Sequence, residues 1–344
     1  MKGYELNNLT SPSVIENTIE KPKSLNGFKY IDLFAGIGGF HLAMSSFNAE
    51  CVFASEWDSF AAKVYEENFQ MKPFGDITKI SEEDIPKHDI LCGGFPCQAF
   101  SVSGKQKGFD DTRGTLFFDI ARIIKYHKPK ILFLENVKNL AKHDKGQTLK
   151  VIVKTLYSLG YTVKYRVLNA SNYGLPQNRE RIFIVCFRND LEISTFKFPV
   201  PTGQYVCLND ILEDNPKAKI INRPDTKIYK SFEPEKNIFG TLDLPNKPVQ
   251  VGIVNKGGQG ERIYSIYGHA CTLSAYGGGA GSKTGIYAVN GILRKLSPRE
   301  CARVQGFPDS FEIDKTQGQA YKQFGNSVAV NVLKEIIKQI IKVI

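Results

Sequence analysis

The chain has 344 residues, 42% hydrophobic and 23% charged, which is the balance of a globular protein with a full core, organised as a large domain plus a smaller one. Its seven cysteines form no C-x-x-C pair, which excludes a disulfide framework or a structural zinc site and fits a reducing cytoplasm. No run of 18 apolar residues exists and the N-terminus lacks the layout of a signal peptide, while a formal charge of +10 favours a polyanionic partner.

Residues 1–26 are polar, carry Pro12 and Pro22, and read as a loose arm. Phe28–Phe34 is a strand candidate running into Ala35-Gly36-Ile37-Gly38-Gly39 and a helix-like run to Phe47. A glycine turn between strand and helix lets backbone approach a ligand, and the helix start offers free N–H groups. A second short strand, Cys51–Ser55, ends in Glu56-Trp57-Asp58, and Glu56 follows Gly36 by 20 residues. That is the distance to the acidic residue that takes ribose hydroxyls in nucleotide-binding βαβ units. The turn is G-x-G-G and lacks the dinucleotide spacing G-x-G-x-x-G, which argues for a nucleoside cofactor other than NAD. Trp57 reads equally as an adenine stacking surface or as core. Asp76, after a helix over Phe60–Asn68, is a candidate for the adenine amino group or a turn cap.

The strand Asp89–Cys92 leads into Gly93-Gly94-Phe95-Pro96-Cys97. A glycine turn at the carboxyl edge of a sheet presents ligands or reactive groups, and Pro96 fixes the backbone ahead of Cys97. Cys97 is therefore a candidate nucleophile, with a packed thiol as the alternative. Ser101–Gly108 is polar, basic and glycine-bearing, like a lid over a site or an ordinary surface loop. Leu116–His127 has helical periodicity. Ile131–Leu134 is a buried strand ending in Glu135, and a carboxylate there needs a partner or a task. Helix Gln147–Leu159, strand Tyr161–Leu168 and strand Arg179–Val185 complete an alternation that predicts a doubly wound, mainly parallel sheet.

That alternation stops near Pro199–Gly203. Residues 206–297 are rich in Gly, Tyr and turns and predict a small irregular β-type domain. Between Lys247 and Arg299 seven basic residues face one acid, and glycines concentrate in 257–260 and 277–279. Such loops can press backbone against phosphates, while Gln and Arg can present paired hydrogen bonds to purine edges. Ser297-Pro298-Arg299-Glu300 is a capping box that starts a helix, and Ser327–Ile344 carries one apolar helical face.

Taken together, Asp32–Gly39, Gly94–Gln98, Glu135–Val137, Gln177–Arg181 and Gly325–Ser327 resemble, in order, the motifs of the DNA (cytosine-5)-methyltransferases. Lys256–Ser265 and Thr272–Gly279 resemble a target-recognition region of that family. Departures from the nearest family pattern are the longer arm, residues 206–248, and Asn178 in place of a Lys. The resemblance implies an S-adenosylmethionine-dependent, Rossmann-like catalytic domain (27–205 and 298–344), a target-recognition domain (206–297) and an arm (1–26). It implies Cys97 as the nucleophile toward C6 of cytosine, Glu135 at N3 and the exocyclic amine, Arg181 as a partner that holds the base, and Arg179 as a further catalytic residue. Phe34, Gly36, Gly38, Gly39, Glu56, Trp57, Asp76, Ile77, Pro96 and Asn326 fall on the cofactor pocket. Ser103, Gln259, Arg262, Thr272 and Tyr276 fall on the DNA side.

The implied enzyme converts S-adenosylmethionine to S-adenosylhomocysteine without a metal and acts on double-stranded DNA as a cytoplasmic, bacterial monomer without membrane contact. A GCGC-type site and a cognate restriction endonuclease, without direct contact, are further implications. The target base must leave the helix stack before a thiolate can reach it. Two other readings are an RNA cytosine-5 methyltransferase, disfavoured by the glycine-rich recognition region, and an NAD-type Rossmann dehydrogenase, disfavoured by the G-x-G-G turn.

Overall fold

A computed structural model of the chain describes residues 24–96, 116–231, 233–236 and 243–344. Cys97, Ser103, the segment Ser101–Gly108 and most of the expected arm lie outside the described residues. In β1 (Lys29–Leu33) the side chains alternate: Tyr30 joins one core while Ile31 and Leu33 join another. The same alternation runs through β3 (Ile90–Gly94), with Ile90 and Cys92 on one face and Leu91 on the other. Strand periodicity of two thus feeds two separate cores, one on each face of a single sheet.

That sheet has six strands among the described residues, in the order β2-β1-β3-β4-β6-β5. It adds β2 (Glu50–Ser55), β4 (Ile131–Val137), β5 (Tyr161–Asn169) and β6 (Glu180–Arg188). The pairs β1–β2, β1–β3 and β3–β4 are parallel, and β6 runs antiparallel to both β4 and β5. Only Ala170–Arg179 links β5 to β6, too short for a crossover helix, so this pair has to be antiparallel.

Helices cover both faces. α1 (Gly39–Ser45), α5 (Pro298–Val304), α6 (Gln317–Asn326) and α7 (Val330–Ile341) bury apolar residues in the Tyr30 core. Two residues of α2 (Ser59–Phe69) join them. α3 (Leu116–His127) and α4 (Gln147–Ser158) bury theirs in the Ile31 core. The capping box at Ser297 forms as expected: its hydroxyl accepts Glu300 N–H while the Glu300 carboxylate accepts Ser297 N–H. α6 has no counterpart in the sequence reading.

Among the described residues the smaller, β-rich part is a five-stranded sheet in the order β11-β10-β9-β8-β7. Its strands are β7 (Lys227–Ile228), β8 (Gln250–Ile253), β9 (Arg262–Ser265), β10 (Ile286–Val289) and β11 (Ile292–Arg294). Its own core is small, built on Ile221, Val251, Val254, Ile263 and Ile286. At its boundary with α5, Arg294 donates from both terminal nitrogens to Glu300 at 2.7 and 2.8 Å, and Glu300 also accepts Glu213 N–H.

Candidate active site

The strand order reverses between β1 and β3, and at such a point loops diverge at the carboxyl edge and leave a crevice. Register places the expected residues there in a row. Leu33 pairs with Ser55 on one side and Gly93 on the other; Gly94 pairs with Glu135, and Val137 with Arg181. Glu135 and Val137 share one face of β4, so the Arg181 side chain arrives on the face that carries Glu135. Its Nε lies 3.1 Å from Glu135 Oε1, with both side chains nearly buried. Pro96, exposed, ends the described segment that leads into Cys97.

Burial raises the Glu135 pKa above the ordinary carboxylate range, and the charges of Arg181 and Arg179 pull the other way. A carboxyl in this setting keeps a proton to a higher pH than an exposed one does. Beside it, Asn136 Nδ2 donates to the Phe95 carbonyl at 2.7 Å, while its Oδ1 accepts Val137 N–H. The Asn136 amide therefore fixes the turn two residues ahead of Cys97. Its position next to Glu135 in a quoted motif was the only signal for this role.

The two arginines expected at the catalytic centre take different partners. Arg181 meets Glu135, whereas buried Arg179 donates to the carbonyls of Leu273 (3.1 Å), Gly325 (3.2 Å) and Ser327 (2.5 Å). Its guanidinium is a tether between chain segments.

At the glycine turn, Phe34, Gly36 and Gly38 have φ of 56°, 55° and 89°, and such left-handed backbone favours glycine at the latter two. A Cβ on Gly38 would come within 2.1 Å of the Phe69 ring, whereas one on Gly36 would meet nothing within 4 Å. Open space over Gly36 suits a ligand. Glu56 closes the turn from β2: its two oxygens accept Gly36 N–H and Asp58 N–H, each at 2.8 Å. A carboxylate has about four acceptor positions, so two hydroxyls of a ribose can still be served.

Trp57 is 79% exposed, which removes the core alternative and leaves a free aromatic face beside that turn. Asp76 caps a turn as one alternative expected, with Thr78 N–H and Oγ1–H both ending on Oδ1. Its Oδ2 takes no part in those two bonds. The Ile77 side chain is buried in the core below, so only its backbone can face the crevice. Asn326 is exposed at the end of α6, and Gly39 packs against the segment that follows, 3.3 Å from Ser327 Oγ at its Cβ position. The open turn, the ribose-spaced carboxylate and the free indole fit a nucleoside cofactor.

Gln259, Arg262, Thr272 and Tyr276 are all exposed. The Thr272 hydroxyl donates to Asn178 O at 2.6 Å, and Arg262 Nε reaches Gly257 O at 3.3 Å. The two glycine loops differ from expectation. Gly281 N–H donates to Gly260 O at 2.7 Å, and a Cβ on Gly260 would sit 2.3 Å from Gly278 O. Gly260 and Gly279 press on the backbone of the opposite loop, whereas a Cβ on Gly278 would meet nothing within 4 Å.

Among the described residues, no group of three or more His, Cys, Asp or Glu is placed to hold a metal ion, and no helix is long and apolar enough to cross a membrane. The C-5 cytosine-specific DNA methylase family matches residues 28–342. The Type II methyltransferase M.HhaI of Haemophilus parahaemolyticus is 56% identical over 318 residues, covering 92% of this chain and 95% of that protein. M.HpaII of Haemophilus parainfluenzae is 44% identical over 359 residues, covering 99% and 98%. In fold, the chain is similar to the Dnmt2 methyltransferase of S. pombe (TM-score 0.66, 20% identity, 92% and 98% covered). The Entamoeba histolytica methyltransferase EhMeth gives TM-score 0.67 at 19% identity, with 92% and 98% covered. The dehydrogenase reading falls with these matches. Sequence, motif order and sheet topology converge: the chain belongs to the C-5 cytosine-specific DNA methylases, and it is a DNA cytosine-5 methyltransferase.

Proposed function

We propose that the enzyme methylates a flipped cytosine in a short duplex sequence, with S-adenosylmethionine as donor and Cys97 as nucleophile. The observation that carries this reading is the Glu135–Arg181 pair at 3.1 Å, in register with the strand end that leads into Cys97. Cytosine C5 is a weak nucleophile, so it needs activation. The Cys97 thiolate forms a bond to C6, electron density moves to C5, and Glu135 gives its proton to N3 so that the ring stays neutral. Arg181 holds the Glu135 carboxyl in place and favours the nearby thiolate. The bound sulfonium supplies the methyl group to C5. A water molecule then takes the C5 proton, the electron pair re-forms the C5–C6 double bond and expels the Cys97 thiolate, and N3 returns its proton to Glu135.

Phe34, Gly36, Gly38, Gly39, Glu56, Trp57, Asp76, Ile77, Pro96 and Asn326 form the donor pocket in this reading. Residues 27–205 and 298–344 make the catalytic domain, 206–297 the target-recognition domain, and 1–26 an arm. Ser103, Gln259, Arg262, Thr272 and Tyr276 meet DNA around the displaced base, whose extrusion costs a few kcal/mol. The likeness of Lys256–Ser265 and Thr272–Gly279 to the M.HhaI recognition region supports a GCGC-type target. We also assign the enzyme to a restriction–modification system, acting as a cytoplasmic monomer with no contact to its endonuclease.

Cys97→Ala should bind donor and DNA but transfer no methyl group; retained transfer sinks the mechanism. Bisulfite sequencing of plasmid from expressing cells reads the target directly, and a modified context other than GCGC overturns that assignment alone.

A further inference from the structure

Two glycine loops carry the side chains proposed to read DNA, yet the small core beneath them is not what sets their distance from the active site. A series of backbone contacts does. At its inner end a Cβ on Gly325, in the last turn of α6, would lie 2.3 Å from Ala275 N and 2.3 Å from the Ser274 carbonyl carbon. Further out, Ser274 N–H donates to Lys283 O at 3.0 Å, tying the segment to the end of the second glycine loop. At the outer end a Cβ on Gly260 would lie 2.3 Å from Gly278 O, and one on Gly279 would lie 2.9 Å from Gly260 O. Gly260 sits directly between Gln259 and Glu261-Arg262.

Each opposing atom at the closest approaches is backbone, so no rotamer change can make room for a side chain. Arg179 clamps the inner end, since it donates at once to Leu273 O on the recognition side and to Gly325 O and Ser327 O on the catalytic side. Lys283 Nζ adds a bond to Gly318 O, at the start of the same helix.

We infer that Gly325 is a positioning residue for target specificity: it is the seat on α6 from which the recognition loops, and so Gln259 and Arg262, are held at a fixed distance from the catalytic strand ends. This rests on the proposed DNA role of Gln259 and Arg262. The contact is specific to one of two glycines in α6, because a Cβ on Gly318 would meet nothing within 4 Å.

The test compares Gly325→Ala, Gly260→Ala and the control Gly318→Ala in the full-length enzyme. Methylation of duplexes carrying the target or a one-base variant gives KM, kcat and discrimination, and calorimetric titration with S-adenosylhomocysteine gives cofactor affinity. Gly325→Ala and Gly260→Ala are each expected to raise KM for DNA about tenfold or more and to cut discrimination about tenfold. Cofactor affinity should stay within about threefold, and Gly318→Ala should match the parent. Unchanged discrimination in Gly260→Ala, or a parallel loss of cofactor affinity in Gly325→Ala, overturns the inference. If Gly325→Ala does not fold, Arg179→Lys takes its place, with the same expected split between DNA and cofactor. Gln259→Ala and Arg262→Ala run alongside: if they leave discrimination intact, it is the DNA-contact reading that fails.

Discussion

The six-stranded sheet carries an apolar core on each face, while the five-stranded sheet has a five-residue core of its own and sends Tyr287 into the Tyr30 core of the larger one. Their carboxyl groups follow suit. Burial pushes Glu135, Glu56 and Asp32 above the ordinary carboxylate range, whereas hydrogen bonds from Arg223 and from Asn255 hold the half-buried Asp225 and Glu261 below it. A proton that must be given to a base needs a dry carboxyl, and a surface that meets phosphates needs solvated charge. The large sheet is therefore self-sufficient in stability and hosts the chemistry. The small sheet offers contacts and takes its rigidity from the other.

The sharpest way to break this contrast is Glu135→Gln. It removes the proposed proton donor and keeps the shape, and kcat should fall by about 10²–10⁴-fold in single-turnover assays. In the parent, kcat should decline as pH rises through the raised Glu135 pKa, because the protonated form is then lost; the variant should lack that limb. Equal activity at all pH values would remove Glu135 from the mechanism.

Ile263→Ala, in the small core, should cost about 2–5 kcal/mol locally. Because so little else holds that sheet, DNA affinity should collapse while S-adenosylhomocysteine binding, read by calorimetry, is kept. A parallel loss of both would mean that the two parts unfold as one unit.

Arg262→Ala should lower discrimination against a substituted base pair by about 1–3 kcal/mol, measured as a ratio of kcat/KM values. A uniform loss on all sequences, with a shallower salt dependence, would mark Arg262 as a phosphate contact instead.

The smallest effect concerns Asp32, which is fully buried with neither carboxyl oxygen hydrogen-bonded to a described residue. Its folded pKa is raised, so the folded state keeps a proton that the unfolded chain gives up in the ordinary carboxylate range. Stability should therefore fall as pH rises from that range toward the raised value. Asp32→Asn should flatten this slope in pH-dependent urea unfolding, and an unchanged slope would show that Asp32 is not its source.

Much of the large sheet was legible because its strands are short apolar runs that end in chemistry: Gly36, Glu56, Gly94 and Glu135 all lie at one edge. α6 was not. Its sequence, Gln-Gly-Gln-Ala-Tyr-Lys-Gln-Phe-Gly-Asn, has too few apolar residues for a helical stripe, and it is buried by contacts from distant segments. The contact between the two glycine loops was hidden for a related reason, since a glycine shows that something approaches closely but not what. Trp57 was undecidable for want of any local signal, and exposure alone settled it. The division of labour between Arg179 and Arg181 depends on which carbonyls lie nearby, and these belong to residues about 94 to 148 positions away in sequence.

The helix that opens after the glycine turn, α1, has only seven residues, and its neighbour on the sheet is α7, at the other end of the sequence. A helix that short does not persist without a packing partner. During synthesis the first strand and its glycine turn leave the ribosome long before Val330–Ile341 exist, and the whole small sheet is made in between. In the proposed reading the donor pocket is thus assembled late, after the recognition module, so a nascent chain has no finished pocket in which to begin modifying DNA. A chain cut before α7 should accordingly lose S-adenosylhomocysteine binding outright, by calorimetry.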